Sequence, residues 1–452
     1  MNHEDVLARA KADFICSCGR RHSTDINRII ISAGFIGPLI DLVRELAPGQ
    51  AKVLLIADQN TWQAAGASIQ ERLSQSGIAS PSIILPADPP LVPDEKAVFA
   101  VVNALESDVC LLVAVGSGTL NDLTRFVSHR VNKPYAIVAT APSMDGYAST
   151  VAALIINNMK QTVSAWGAAA ILADPAVLAA CPQVMIAAGL GDIIGKYSAI
   201  CDWRLGGLIE SEYICNTVAE LVLDTVEQCR RQAPQAALRD ESAVTGIFEA
   251  LIMTGIAMSY VGNSRPASGS EHHLSHFWEM AFQRVGITPV LHGSKVGLAT
   301  IMTCALYRNL LDLKPDFVRA RELSGTFDQA AWEANMKEVY VDGADVIIQL
   351  EQTARKHDPQ NVCRNLARIE SNWDMICELA RQAPEPSVIQ DILSTVGGAI
   401  RPSELGISRE LVAASLRHAM EMRDRYTVLR LYTDLGLGDL AVSLVENLFD
   451  NS

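Results

Sequence analysis

The chain lacks a long, unbroken hydrophobic run. Its longest uncharged stretch, residues 175–191, carries proline and many small residues, so no transmembrane span is expected. The amino-terminal MNHEDVLARAKADF is charged and helix-like and has no signal-peptide apolar core. There is no excess of basic residues: 37 Lys and Arg stand against 51 Asp and Glu, a formal net charge of −14. That balance argues against a nucleic-acid or anionic-membrane surface, but not against a small anionic substrate held by local donors. Internal repeats and low-complexity segments are absent. The ten cysteines are scattered over a chain of 452 residues, which has no need of a disulfide scaffold; reduced thiols and a cytoplasmic location are the expectation.

What is present is organised in two styles. At this length two domains are expected. Residues 1–181 alternate apolar runs with helical patterns. VLLIAD (53–58), SIILP (82–86), the start of VCLLVAVGSGTLNDLTRF (109–126) and YAIVATAPSM (135–144) read as strands, and KAVFAVVNALES (96–107) reads as a helix. Continuous apolar strands separated by helices predict a parallel sheet covered on both faces, a Rossmann-like α/β nucleotide-binding domain. From 182 to 452 helical periodicity dominates, over 207–232, 239–261, 294–312, 329–355, 359–382, 386–395 and 408–449, and predicts an all-helical second domain.

Several motifs carry chemistry. The loop GSGTLND, Gly116 to Asp122, follows a strand and opens a helix. Its glycines let backbone approach a phosphate at a helix N-terminus, although the third glycine of the dinucleotide fingerprint is missing; an ordinary tight turn reads equally well. Asp58 ends the first clear strand, where a carboxylate can accept from ribose hydroxyls or simply cap a helix. TAPSMDGYAST (140–150) is a small, hydroxyl-rich loop suited to line a cleft, or the start of a capped helix. In GLGDIIGKY, Asp192 reads as a first-turn carboxylate with Lys196 one turn on, which alone suggests an i,i+4 ion pair.

Histidine is concentrated: four of nine lie between 272 and 292, in SRPASGSEHHLSHFWEM and PVLHGSKVG. His272 and His276 share a face if the segment is helical. No glutamate stands between them, which excludes the zinc-protease pattern. Two histidines and one carboxylate can hold a divalent metal with positions open to substrate; hydrogen-bonded structural histidines are the alternative. CSCGRRH (16–22) has a Cys-x-Cys spacing shorter than usual zinc pairs and no evident partner pair, and is read as structural and metal-free.

Taken in order, GSGTLND, TAPSMDGYAST, GLGDIIGKY, SRPASGSEHHLSHFWEM and LHGSKVG resemble the sn-glycerol-1-phosphate dehydrogenases of bacterial type. These belong to a wider group of metal-dependent alcohol and glycerol dehydrogenases and dehydroquinate-synthase-like enzymes. The resemblance runs over most of the chain and implies an active site in the cleft between the two domains. It implies that Gly116, Ser117, Gly118, Thr119 and Leu120 hold the pyrophosphate of NAD or NADP, with a lean to NAD. Thr140, Ala141, Pro142, Ser143 and Ser149 would line the cofactor, with Asp58 at the first strand end. Asp192, His272 and His292 would bind one zinc or nickel ion. Asp145 and His276 would contact substrate as catalytic groups, beside Asp192. His273 matches no role. The glycine loop departs from the family's triple glycine, but Ser117 is expected still to cap and donate. Lys196 and Arg265 are the candidates for the substrate phosphate. The implied reaction is reversible reduction of dihydroxyacetone phosphate to sn-glycerol 1-phosphate by a homodimer. Another polyol or glycerol dehydrogenase or a dehydroquinate-synthase-like lyase on the same fold, and a non-catalytic NAD- and metal-binding regulator, are the rivals.

Overall fold

The structure, a computed structural model, describes residues 8–9, 12–24, 26, 28–49, 51–156, 159–287 and 290–450. Of the helix-like amino-terminal stretch, residues 1–7, 10 and 11 lie outside that description.

Among the described residues, ten strands lie between Phe14 and Ala173 and only helices follow. A short antiparallel hairpin, β1 (Phe14–Ile15) and β2 (Arg21–His22), comes first. The main sheet contains β3 (Ile29–Ile31), β4 (Val53–Asp58), β5 (Ser82–Leu85), β6 (Leu111–Gly116), β7 (Tyr135–Ala139) and β10 (Ala170–Ala173). Its order is β3-β10-β7-β6-β4-β5, and every pairing is parallel. A second hairpin, β8 (Val151–Ile156) and β9 (Met159–Ser164), stands outside the sheet.

Side chains of the central strands alternate between two cores. Leu54, Ile56, Leu112, Ala114 and Ile137 face one; Val53, Leu55, Val113, Val115, Ala136 and Val138 face the other. That is why these strands read as unbroken apolar runs: both faces are buried. From β4 the chain moves outward to β5, then returns across β4 to β6 and continues the other way. The order therefore reverses between β4 and β6, and the carboxyl ends of strands at such a reversal form the crevice where open α/β sheets take ligands.

Two helices, Gln183–Glu210 taken through its bend and Glu241–Val261, are long and apolar enough to cross a bilayer, but 89% and 78% of their apolar windows are buried inside the molecule. They are core helices of the second layer.

Several expected elements differ. The stretch 408–449 is not one helix but Arg409–His418, Val428–Asp434 and Gly438–Asp450, separated by a 3₁₀ turn and by Gly436 at φ +70°. The stretch 329–355 breaks at Val341, whose φ is +47°.

Candidate active site

The crevice is built from the glycine loop outward. β6 ends at Gly116, Ser117 follows, and the helix Gly118–Val131 begins. A β-carbon on Gly116 would lie 2.3 Å from Leu120 Cδ1, so a side chain there would displace Leu120. Ser117 makes no side-chain capping bond, contrary to the expectation that it would cap. Its backbone torsions, φ −118° and ψ −147°, differ from those of the Asp caps at Asp58 and Asp94. The first amides of the helix have no acceptor within the helix itself, the usual arrangement for holding a phosphate. Asp58, at the end of neighbouring β4, caps the next turn by accepting from the Thr61 amide at 2.8 Å.

The loop after β7 folds over the start of this helix. The Thr140 amide donates to Gly116 O at 3.1 Å, and Thr140, Ala141, Pro142 and Ser143 are all buried. Ser149 sits further out, and its hydroxyl bonds only to Val151 backbone. Arg125, which the sequence did not single out, fastens the loop. This buried guanidinium donates to Gly146 O (2.6 Å), Tyr147 O (3.3 Å), Val151 O (2.9 Å) and Asp122 Oδ1 (2.7 Å).

The carboxylate and the histidines arrive on three helices. Asp192 lies in the last turn of the helix Gln183–Ile194, not in a first turn as expected. Pro182 starts that helix earlier, and its small residues serve close packing rather than a break. A β-carbon at Gly189 would sit 1.7 Å from Pro142 O, and one at Gly293 would sit 1.8 Å from Ala188 O. Only glycine at both positions lets this helix touch the 140–143 loop on one side and the helix His292–Asn309 on the other. Asp192 is thereby pressed against His292, the first residue of its helix. The third helix, Ser270–Arg284, carries His272 and His276. Its N-terminus is pinned by buried Asp202, whose Oδ2 accepts from the Ser270 amide and hydroxyl, both at 2.6 Å.

The result is a convergent set. One ligand atom each of Asp192, His272 and His292 fall within 4.8 Å of one another. His272 Nε2 is 3.8 Å from Asp192 Oδ1. Donors sharing one ion at about 2.1 Å are about 3–4 Å apart, so the residues fit a divalent cation. His272 Nδ1 faces Glu271 Oε1 at 2.7 Å, an orienting carboxylate of the kind that fixes a ligand histidine's tautomer. The ring centroids of His276 and His292 are 5.6 Å apart, and those of His272 and His292 are 5.1 Å apart. His276 Nδ1 is 3.4 Å from Glu279 Oε2, and Glu279 Oε1 is 3.7 Å from Lys295 Nζ.

Electrostatics set Asp192 apart. Burial and then the neighbouring Asp145 carboxylate raise its pKa to about 6, with Lys196 opposing them. Lys196 Nζ donates to Asp192 Oδ1 at 2.7 Å and to Asp145 Oδ2 at 2.8 Å. Burial works against the Lys196 charge, but the two carboxylates outweigh it and keep the ammonium protonated. The Asp145 amide also donates to Asp192 Oδ2 at 2.9 Å. Lys196 is therefore engaged between two carboxylates and is not placed as a phosphate donor. Arg265 is not available either. It is buried in a fork onto Glu212, with a further bond to Tyr426 O at 3.1 Å.

The sequence reading missed Arg125, Glu271 and Glu279. Glu279 stands three residues beyond His276 on the same face, a spacing that could have flagged it. Glu271 borders His272, and only the folded geometry shows it bonding to the ring. His273 is buried with no partner on either ring nitrogen among the described residues, and burial lowers its pKa well below the usual range.

The chain has clear relatives among known proteins. Residues 30–182 match the family model described as iron-containing alcohol dehydrogenase. A glycerol-1-phosphate dehydrogenase [NAD(P)+] of Geobacillus stearothermophilus is 32% identical over 436 residues, covering 96% of this chain and 98% of that protein. The enzyme of the same name from Halalkalibacterium halodurans is 33% identical, covering 95% and 98%. One from Methanosarcina barkeri is 32% identical over 62% of this chain and 76% of its own length. Among solved structures, glycerol dehydrogenase from Schizosaccharomyces pombe superposes with a TM-score of 0.58 at 15% identity, over 94% of this chain and 92% of that one. An alcohol dehydrogenase from Oenococcus oeni gives 0.59 at 13% identity, over 93% and 98%. At such identities the solved structures speak for the fold alone. With relatives above 30% identity along nearly its whole length, the chain belongs to the glycerol-1-phosphate dehydrogenase family of NAD(P)-dependent oxidoreductases.

Proposed function

We propose that this protein reversibly reduces dihydroxyacetone phosphate to sn-glycerol 1-phosphate with NADH or NADPH, using one divalent metal ion. The observation that carries the reading is the convergence of Asp192, His272 and His292, drawn from three helices, beside the strand-order reversal of a parallel sheet.

A divalent ion on these three residues supplies Lewis acidity toward the substrate oxygen on which negative charge grows. Two imidazoles and a carboxylate suit zinc or nickel, as they suit iron. The chain's own groups do the rest. The amides from Gly118 to Leu120 hold the pyrophosphate at the helix N-terminus, and Asp58 accepts from the ribose. Thr140 to Ser143 and Ser149 line the cofactor. Lys196 holds Asp145 and Asp192 in register by donating to a carboxylate oxygen of each. Asp145 and His276 face the substrate. His276 moves the proton, with the Glu279 carboxylate beside its Nδ1. The acidic Asp58 favours NAD over NADP, because it repels a 2′-phosphate.

The test mixes purified protein, NADH and dihydroxyacetone phosphate and follows absorbance, with and without a chelator. Metal-dependent NADH loss with chiral sn-glycerol 1-phosphate as product is expected. No net NADH consumption would overturn the reading and favour a lyase or a binding protein.

A further inference from the structure

The CSCGRRH segment takes no part in the site just described, yet it ends in a cluster. Cys16 follows β1, the chain turns through Cys18 and Gly19 (φ +84°), and β2 delivers His22. The turn is tightened by Gly19 N–H bonding to Cys16 O and Cys16 N–H bonding to Arg20 O, both at 2.9 Å. The missing fourth group comes from far along the chain. Cys215, the residue before the helix Asn216–Ala237, packs onto the turn. Cys16 Sγ lies 3.6 Å from Cys215 Sγ, across 199 positions of sequence. His22 Nε2 lies 3.3 Å from Cys18 Sγ and 3.4 Å from Cys215 Sγ. All four ligand atoms fall within 4.8 Å of one another.

These are the separations of a tetrahedral metal site. With metal–sulfur bonds of about 2.3 Å and a metal–nitrogen bond of about 2.1 Å, tetrahedral angles put sulfurs about 3.8 Å apart and sulfur about 3.6 Å from nitrogen. The surroundings fit as well. His22 Nδ1 faces Tyr260 O at 2.8 Å. A carbonyl only accepts, so the ring proton sits on Nδ1 and the Nε2 lone pair points at the sulfurs. Tyr213 OH is 3.1 Å from Cys18 Sγ, a hydroxyl able to donate to a thiolate, and Cys16 Sγ donates to Thr217 Oγ1 at 3.5 Å. His22 and Cys215 are fully buried and Cys16 nearly so.

We propose that Cys16, Cys18, His22 and Cys215 bind a structural zinc ion, separate from the catalytic metal. Three thiolates with one imidazole, closed and tetrahedral, suit redox-inert Zn²⁺. Binding forms three Zn–S bonds and one Zn–N bond and releases the protons of those cysteines still in the thiol form; no electron moves. The ion fastens the amino-terminal hairpin to the start of the helix Asn216–Ala237, and through Tyr260 to the end of the helix Glu241–Val261. Four ligands filled by protein leave no position for substrate, so its role is to hold the fold.

The test is elemental analysis of the full-length protein purified without chelator, in the presence of thiol reductant. About two metal ions per chain are expected. Cys215→Ser and His22→Phe should each lose one, while His272→Ala loses the other and keeps the zinc. Should the cysteine variant fail to fold, the wild type decides: an organomercurial should release one zinc as about three thiols are modified, and cobalt loading should give intense thiolate-to-cobalt charge-transfer bands. A wild type with a single ion that His272→Ala removes, no cobalt–thiolate bands, or a Cys16–Cys215 disulfide in the mass spectrum of protein purified without reductant would each overturn the proposal.

Discussion

Gly293→Ala should separate the metal ligands without touching any of them. The new β-carbon would start 1.8 Å from Ala188 O and 2.6 Å from Ala188 C. Ordinary carbon–oxygen contact is about 3.4 Å, so the two helices must part by roughly 1.5 Å. Both atoms are backbone, so no side chain can swing aside. Ala188 lies one turn before Asp192 and Gly293 directly follows His292, so the parting acts on the gap between the two ligands. Overpacking of this kind costs about 1–3 kcal/mol, and a reacting group misplaced by about 1 Å costs roughly 100-fold in rate. Metal titration, steady-state kinetics and thermal melts should show metal binding weakened at least about tenfold, kcat/KM down by about 100-fold, and a Tm lower by several degrees. Gly37→Ala is the control. It lies in the helix Ile36–Leu46 with nothing within 4 Å of an added β-carbon, and should be neutral or stabilising by up to about 1 kcal/mol. A Gly293→Ala protein with wild-type metal affinity, kcat/KM and Tm would refute the packing argument.

Three further outcomes are expected. Glu271→Gln should weaken metal binding about 10–100-fold, because His272 loses its anionic orienting partner; titration with unchanged affinity would show that Glu271 serves the helix end alone. Asp58→Ser keeps a capping oxygen at the end of β4 while removing the charge, so the ratio of kcat/KM for NADPH over NADH should rise with little change in Tm, and an unchanged ratio would leave Asp58 as a cap only. Buried Glu421 accepts from Lys356 at 2.9 Å and faces His357 Nε2 at 2.7 Å, and these partners outweigh its burial and hold its carboxyl far below the usual range. A depressed carboxyl stabilises the fold above its unfolded pKa, so Glu421→Gln should cost about 3 kcal/mol at neutral pH in urea unfolding, and the gap to wild type should narrow by roughly 1.4 kcal/mol per pH unit below about 4.3; a gap independent of pH would contradict the ion pairing.

The sequence carried the sheet and the ligands unevenly. β4, β6 and β7 were legible because burial on both faces leaves an unbroken apolar signature. β5, with four residues, was read as SIILP, whereas β3, with three, and β10, with four, were not. The outlying β8–β9 hairpin was likewise not read from the sequence. The ligand residues were legible as motifs, but their helical setting was not. Glycine at 189 and 191, inside that helix, answers neighbours that only the fold brings close. Lys196 was read two ways, as an ion-pair partner of Asp192 and as a phosphate donor; the pair with Asp192 is present, and a second carboxylate, Asp145, joins it from 51 residues away. The cysteine cluster was illegible for the same reason, since Cys215 is distant in sequence and carries no spacing signal. Contacts made across the chain, rather than along it, are what the pattern of residues does not encode locally.

The central claim is that Asp192, His272 and His292 together hold one divalent ion that the reduction requires. The most direct measurement is metal content and dihydroxyacetone phosphate reduction for His272→Ala and His292→Ala, with circular dichroism to check the fold. Each variant should carry one ion fewer than wild type and lose activity while its helical signal is retained. A folded variant of either kind that keeps the full metal complement and full activity would contradict the account.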